Sequence, residues 1–157
     1  MTAVLQRVTA ASVTVGGECV GECGQGLAVL LGVSREDSES DAEMLAKKIL
    51  GLRIFSDSEG KMNLSIRDID GEMLVISNFT LMANYRHGNR PDFMSAASPD
   101  RANELYEYFK ELVKRELKHV GSGIFGAEMK PSFSCDGPVT IVMDSNVLKS
   151  KKTGEAK

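Results

Sequence analysis

Hydrophobic and polar positions along this chain change period several times, and each change marks an element. LAVLLGV, residues 27–33, is an unbroken apolar run and predicts a strand covered on both faces. Before it, SVTV and ECV flank Gly16-Gly17, a pair that accepts the positive φ of a type I′ turn, and predict a hairpin. The period then becomes helical: Ala42, Leu45, Ala46 and Ile49 share a face, Ser40 and Glu43 fit a capping box, and Gly51 suits the stop. LRIF (52–55) predicts a short strand, DSEG a turn, and EMLVISNFTL (72–81) a further strand. MANYRHGNRPDF is too rich in turn formers to be regular and reads as a loop. Ser98-Pro99 opens the strongest helix, with Ala102, Leu105, Tyr106, Phe109, Leu112, Val113 and Leu117 as its apolar stripe. β structure returns from Val120 to Asp144, with glycines at 121, 123 and 126.

The order is strands, helix, strands, helix, strands. This is not a steady βαβ alternation, and it favours a β-rich α/β domain with two helices packed on a sheet. At 157 residues one domain is expected, over 1–148, with 149–157 a charged, frayed C-terminal tail.

Composition narrows the class. Apolar content of 42% with 26% charged residues is that of an ordinary soluble domain. A net charge of −3 argues against a broad nucleic-acid-coating surface, though not against contact with one end of an RNA. Lys110, Lys114, Arg115 and Lys118, with Lys149, Lys151 and Lys152, are the candidate RNA cations, competing with a reading as a solvated helix face and tail. No secretory apolar segment follows Met1 and no apolar run reaches membrane length, so a cytoplasmic protein is expected. Cys19, Cys23 and Cys135 cannot all pair, which fits a reducing compartment, and they lack zinc-type spacing. No metal and no cofactor are expected. There is no phosphate-binding glycine loop and no nucleophile elbow. His119 lies at a helix end and His87 in the glycine-containing loop, so a Ser-His-Asp arrangement has no local support.

Two stretches remain as candidate chemistry. Ser77-Asn78-Phe79-Thr80 puts polar groups at the end of an apolar strand, where they are either ladder fillers or site residues. Within SCDGPVTIVMD (134–144), Asp-Gly resembles a hairpin turn, but the next residue, Pro138, has no N–H for a ladder. A trans proline entering an edge strand is the plainer reading of Gly137-Pro138-Val139-Thr140.

These stretches also carry a family likeness. LQRV (5–8), GLAVLLGV (26–33), LRIFSDSEGKMN (52–63), SNFTL (77–81), GNRPDF (88–93), LYEYF (105–109), GIFGAEM (123–129) and DGPVTIVMDS (136–145) occur in the order found in the D-aminoacyl-tRNA deacylases. The chain resembles that family up to about residue 145. The resemblance implies an α/β domain of rolled, barrel-like sheets with the two main helices on one face, in β/β/α layers. It implies a homodimeric hydrolase that cleaves D-aminoacyl-tRNA at the ester to the 3′-terminal adenosine, a chiral proofreading activity; a filter that excludes L-side chains meets only hydrogen on glycine, so glycyl-tRNA is an expected substrate too. The partners so implied are the aminoacylated tRNA 3′ end and a second copy of the chain, with no membrane.

By the same resemblance, Ser77, Asn78, Phe79 and Thr80 form the catalytic stretch. Gly137, Pro138, Val139 and Thr140 form the segment that selects chirality, through a cis Gly-Pro bond inserted into the partner subunit's site. Arg7 holds that segment in orientation. Asn78 stands where the family has Gln, and Cys135 where it has Asn. The chemical step has two routes: a water assisted by the ribose 2′-hydroxyl, which is preferred, or attack by Thr80. Two other functions compete: a paralogue with a trans Gly-Pro that deacylates L-alanyl-type mischarged tRNA, and a non-catalytic module holding tRNA ends or a protein.

Overall fold

A computed structural model describes residues 1–149. The expected tail from 150 on, with Lys151 and Lys152, lies outside the described residues. The organising element is β1 (Thr2–Val15), which pairs antiparallel with β2 (Glu18–Cys23), β3 (Gly26–Gly32) and β8 (Lys130–Asp144). β3 continues the sheet into two parallel neighbours, β6 (Glu72–Ser77) and β7 (Val120–Ser122). A small ribbon, β4 (Phe55–Ser56) with β5 (Met62–Leu64), is joined by the Asp57–Gly60 turn. The helices are α1 (Glu39–Gly51), α2 (Pro99–Lys114) and a short α3 (Ser145–Lys149).

The sheet rolls until its far edges meet. A Cβ on Gly121 would lie 2.3 Å from the Glu22 carbonyl oxygen, and one on Gly21 equally close to that of Ser122. Only glycine allows this backbone approach. The imidazole Nε2 of His119 sits 2.9 Å from the Glu22 carbonyl oxygen at the same seam. The result is a mixed sheet nearly closed into a barrel, the rolled α/β form that the resemblance implied.

Two cores lie on either side of the sheet wall. Leu27, Val29 and Leu31 of β3, with Met73 and Val75 of β6, meet Leu45 and Ile49 of α1 and Leu105, Phe109 and Val113 of α2. The alternate residues Ala28, Leu74 and Ile76 face the barrel interior with Val8, Val13 and Cys23. A strand of period two buried on both faces has to read as continuously apolar, and β3 does. Burial and the Glu72 carboxylate push the Cys23 thiol up to about 11, leaving it a neutral core group.

Four local expectations are corrected. The capping box of α1 is built one turn-start earlier: Ser38, not Ser40, is the N-cap, and its N–H and hydroxyl donate to Asp41 Oδ2 at 3.0 and 2.9 Å. Glu43 instead accepts the Tyr108 hydroxyl at 2.6 Å, joining α1 to α2. The LRIF strand begins only at Phe55. The 72–81 strand stops at Ser77, because Asn78 caps a 3₁₀ turn over Phe79–Met82. Ser145–Lys149 forms α3, so Lys149, expected as the first residue of the frayed tail, is the last residue of a helix.

α3 is fixed by a buried polar cluster. The Met1 ammonium donates to Asp37 Oδ1 at 2.6 Å and to Ser145 Oγ at 2.7 Å. Ser145 Oγ donates to Asp41 Oδ1 at 2.7 Å, where Lys149 Nζ also arrives at 2.6 Å. Burial alone would raise the Asp41 carboxyl; hydrogen bonds from Lys149, Ser145 and Ser38 outweigh it and hold the group far below the usual carboxylate range.

Candidate functional site

The carboxyl ends of the parallel strands β3 and β6 open into a cleft of about 600 Å³. Ligand sites in sheets of this kind favour that end of the strands. Leu30 and Leu31 come from β3, Ile76 and Ser77 from β6, and Asn78 and Phe79 from the turn beyond. Pro99, Ala102 and Tyr106 close one side from the N-terminal half of α2. The Tyr106 hydroxyl donates to the Val75 carbonyl at 2.9 Å, and burial raises its phenol well above the ordinary range. No carboxylate, imidazole or amine is in the lining.

The turn at 78–80 is held by one amide side chain. Asn78 N–H bonds to the Leu31 carbonyl at 2.8 Å, extending the β3–β6 pairing by one residue. Asn78 Oδ1 then accepts both the Thr80 N–H, at 3.2 Å, and the Thr80 hydroxyl, in a very short contact. Asn78 thus supplies the turn-holding oxygen from a side chain one methylene shorter than Gln. The Thr80 N–H is thereby occupied. The first N–H of a helical turn has no internal partner, and here it belongs to Phe79, whose residue is 60% exposed at the mouth. The Phe79 ring packs edge-on against Phe93 at 5.1 Å between centroids. Ser77, Asn78 and Phe79 reach the cleft; Thr80 attaches to it through Asn78.

The second stretch resolves the puzzle of Pro138. Gln6 pairs with Thr140 and Val8 with Cys135, so the four residues Asp136 to Val139 stand opposite the single Arg7. The β1–β8 ladder steps over this bulge, and the N–H that proline lacks is not asked for. The Gly137–Pro138 peptide is cis, and Gly137 has φ +122°, a backbone that other residues rarely adopt. Arg7 anchors the bulge: its Nε donates to the Asp136 carbonyl at 3.2 Å and pairs with Asp136 Oδ2 at 3.1 Å, and its Nη1 donates to the Ile54 carbonyl at 2.7 Å. A Cβ on Gly137 would meet Val139 at 3.0 Å and Arg7 Nη2 at 3.2 Å. Thr140 Oγ donates to Gln6 Oε1 at 2.8 Å. Cys135 is exposed, as is Cys19.

Within one chain the two stretches stay apart: none of residues 137–140 lines the cleft. Sequence reasoning missed the outer wall, Phe125, Gly126, Ala127 and Met129, from the loop between β7 and β8. The run GIFGAEM (123–129) carried the signal without a role, and Gly126 there has φ +76°. Of the candidate RNA cations, four rest on carboxylates: Lys110 on Glu107 at 2.8 Å, Lys114 on Glu111 at 3.2 Å, Lys118 on Asp70 at 2.5 Å and Lys149 on Asp41 at 2.6 Å; Arg115 has no ion pair among the described residues. Among the described residues no group of His, Cys, Asp or Glu is placed to hold a metal ion, and no helix is long and apolar enough to cross a membrane.

A rolled mixed sheet with an apolar cleft at its parallel strand ends, and a proline bulge set into its longest strand pair, defines a small α/β domain of one recognisable class. The chain belongs to the D-Tyr-tRNA(Tyr) deacylase family, whose model matches residues 4–144. The D-aminoacyl-tRNA deacylase of Dehalococcoides mccartyi is 57% identical over 145 residues, covering 92% of this chain and 95% of that one. That of Thermus aquaticus is 51% identical over 146 residues, covering 93% and 96%. A solved structure described as c-Myc DNA Unwinding Element Binding Protein has a TM-score of 0.87 at 43% identity, covering 92% of this chain and 98% of its own.

Proposed function

We propose that this protein is a D-aminoacyl-tRNA deacylase, which hydrolyses the ester between a D-amino acid and the 3′-terminal adenosine of tRNA. The observation that carries the reading, beside family membership, is a cleft without acid, base or metal ligand but with a free N–H, that of Phe79, at its mouth. An aminoacyl ester is already activated. Its hydrolysis needs a donor for the oxyanion more than it needs a strong base. Water adds to the carbonyl carbon, the bond to the 3′-oxygen breaks, and that oxygen leaves with the proton. The neighbouring 2′-hydroxyl assists the water. Thr80 is not the nucleophile in this scheme, because its hydroxyl proton rests on the neutral amide oxygen of Asn78.

The chiral filter in this reading is the Gly137–Pro138 segment of a second subunit, laid into the cleft by two-fold pairing. Support comes from the single chain, whose cleft receives residues 77–79 but none of 137–140. Main chain is a rigid gauge of handedness, since it has no rotamers to change. An L-side chain meets it; a D-side chain, or the hydrogen of glycine, does not.

Deacylation of D-tyrosyl-, glycyl- and L-alanyl-tRNA by one enzyme stock tests the proposal. The first two should be hydrolysed and the third spared. No turnover of D-tyrosyl-tRNA sinks the activity, and equal turnover of L-alanyl-tRNA sinks the filter. Light scattering on the same stock should give a dimer; an active monomer overturns the shared site.

A further inference from the structure

We infer that the loop between Asn84 and Asp92 is a clamp for the single-stranded end of the RNA, with Arg86 and Arg90 on its phosphates and Tyr85 stacked on a base. This rests on the deacylase reading and assigns a part of the chain that the cleft does not use. The loop is closed at its base like a clasp: Asn84 N–H and Asp92 N–H donate to each other's carbonyls at 2.8 and 3.0 Å, and Asn84 Nδ2 donates to Asp92 Oδ2 at 2.9 Å. Asn84 Oδ1 turns back to accept the Arg86 N–H at 3.2 Å. The next residue, Phe93, packs on Phe79. The clasp is therefore rooted on the cleft mouth, where the terminal adenosine must arrive.

Arg86 and Arg90 are exposed, and neither guanidinium has an ion pair or hydrogen bond among the described residues. Arg35, also exposed and without a guanidinium partner, is tied to the same rim by its N–H on the Ser95 carbonyl at 2.9 Å. Unneutralised guanidinium groups beside the mouth of a cleft are suited to an anion partner. Tyr85 is 79% exposed, the most exposed large apolar side chain described. Open guanidinium groups interleaved with a bare aromatic ring fit a single strand, whose backbone takes the charge and whose bases take the ring. The basic end of α2 is a poorer candidate: Lys110 and Lys114 are paired, and Lys114, with the unpaired Arg115 next to it, lies about 22 Å along the helix from the cleft-lining Pro99, at 1.5 Å per residue.

The test uses the full-length protein and two variants, Arg86→Gln/Arg90→Gln and Tyr85→Ala. Binding of uncharged tRNA is titrated against salt, and turnover is measured on D-tyrosyl-tRNA and on D-tyrosyl-adenosine, which has no phosphate. Each lost single-strand phosphate contact removes about 0.7 from the slope of log K against log salt, so the double variant should lose about 1.4. Its ratio of tRNA turnover to nucleoside turnover should fall about tenfold or more. Tyr85→Ala should weaken tRNA binding about tenfold with the salt slope kept. An unchanged slope and ratio, or equal losses on both substrates, overturns the clamp and leaves the loop to another partner. If the unmodified protein hydrolyses neither ester, the deacylase reading fails, while the tRNA titration still decides the clamp.

Discussion

Thr80 looks like a nucleophile and is wired as a strut. Its hydroxyl and its N–H both terminate on Asn78 Oδ1, and an amide oxygen takes no proton at neutral pH. Thr80→Ala should therefore cost about tenfold in the rate on D-tyrosyl-tRNA, against the roughly 10⁶-fold seen when a true serine nucleophile is removed from a protease. A rate measured in single turnover checks this, and complete loss would return Thr80 to the attacking role. At this scale the sequence was legible where a motif could be matched and opaque where a backbone decides. Ser77, Asn78 and Phe79 line the cleft. That the Thr80 N–H is spent on Asn78 while that of Phe79 is left free depends on where the turn begins, which the letters do not show. Arg7 was placed by likeness alone; its work against Asp136 and Ile54 needs chain partners 129 and 47 residues away.

Elements show the same division between local and distant causes. α2 was readable because Ser98-Pro99 and a long apolar stripe are both local signals. The cap of α1 was misplaced by two residues because two Ser-x-x-acid pairs overlap, Ser38 with Asp41 and Ser40 with Glu43, and only packing against Tyr108 separates them. The barrel seam was invisible: Gly21 and Gly121 are a hundred residues apart and each reads as an ordinary strand glycine. That seam yields a sharp prediction. Gly121→Ala forces a methyl group against the Glu22 carbonyl oxygen and should cost ~3 kcal/mol. For a chain of this size that lowers Tm by roughly 6–12 °C in calorimetry. Gly51→Ala, whose new methyl meets nothing nearer than 3.9 Å, should change stability by less than about 1 kcal/mol.

Across the whole molecule, the cluster around Asp41 ties α1, α3 and the start of β1 together. Its depressed carboxyl sets the sign of a pH effect. The stabilisation is full above the ordinary aspartate value of 3.8 and is lost as pH falls from there toward the lower folded value. The urea midpoint should accordingly drop between pH 6 and pH 3, and Asp41→Asn should flatten that dependence while lowering the midpoint at pH 6. An unchanged pH profile in the variant would mean that other carboxylates govern acid unfolding.

The bulge at Asp136–Val139 has a mechanical consequence. On its near side β8 lays Phe133 against the barrel interior, and beyond it Ile141 and Met143 turn to the helices. β1 makes the same crossing, from Leu5 on the helix side to Val13 inside. One strand pair is thus a common wall of both cores, and neither core can melt while the other holds it straight. Partial opening is confined to the rim and the ends, and the domain should unfold as one cooperative unit. In native-state hydrogen exchange the β1 amides facing β3 and β8 should then share a single, highest protection free energy, equal to that of global unfolding; a lower value for the half nearer β2 would reveal two independently melting cores.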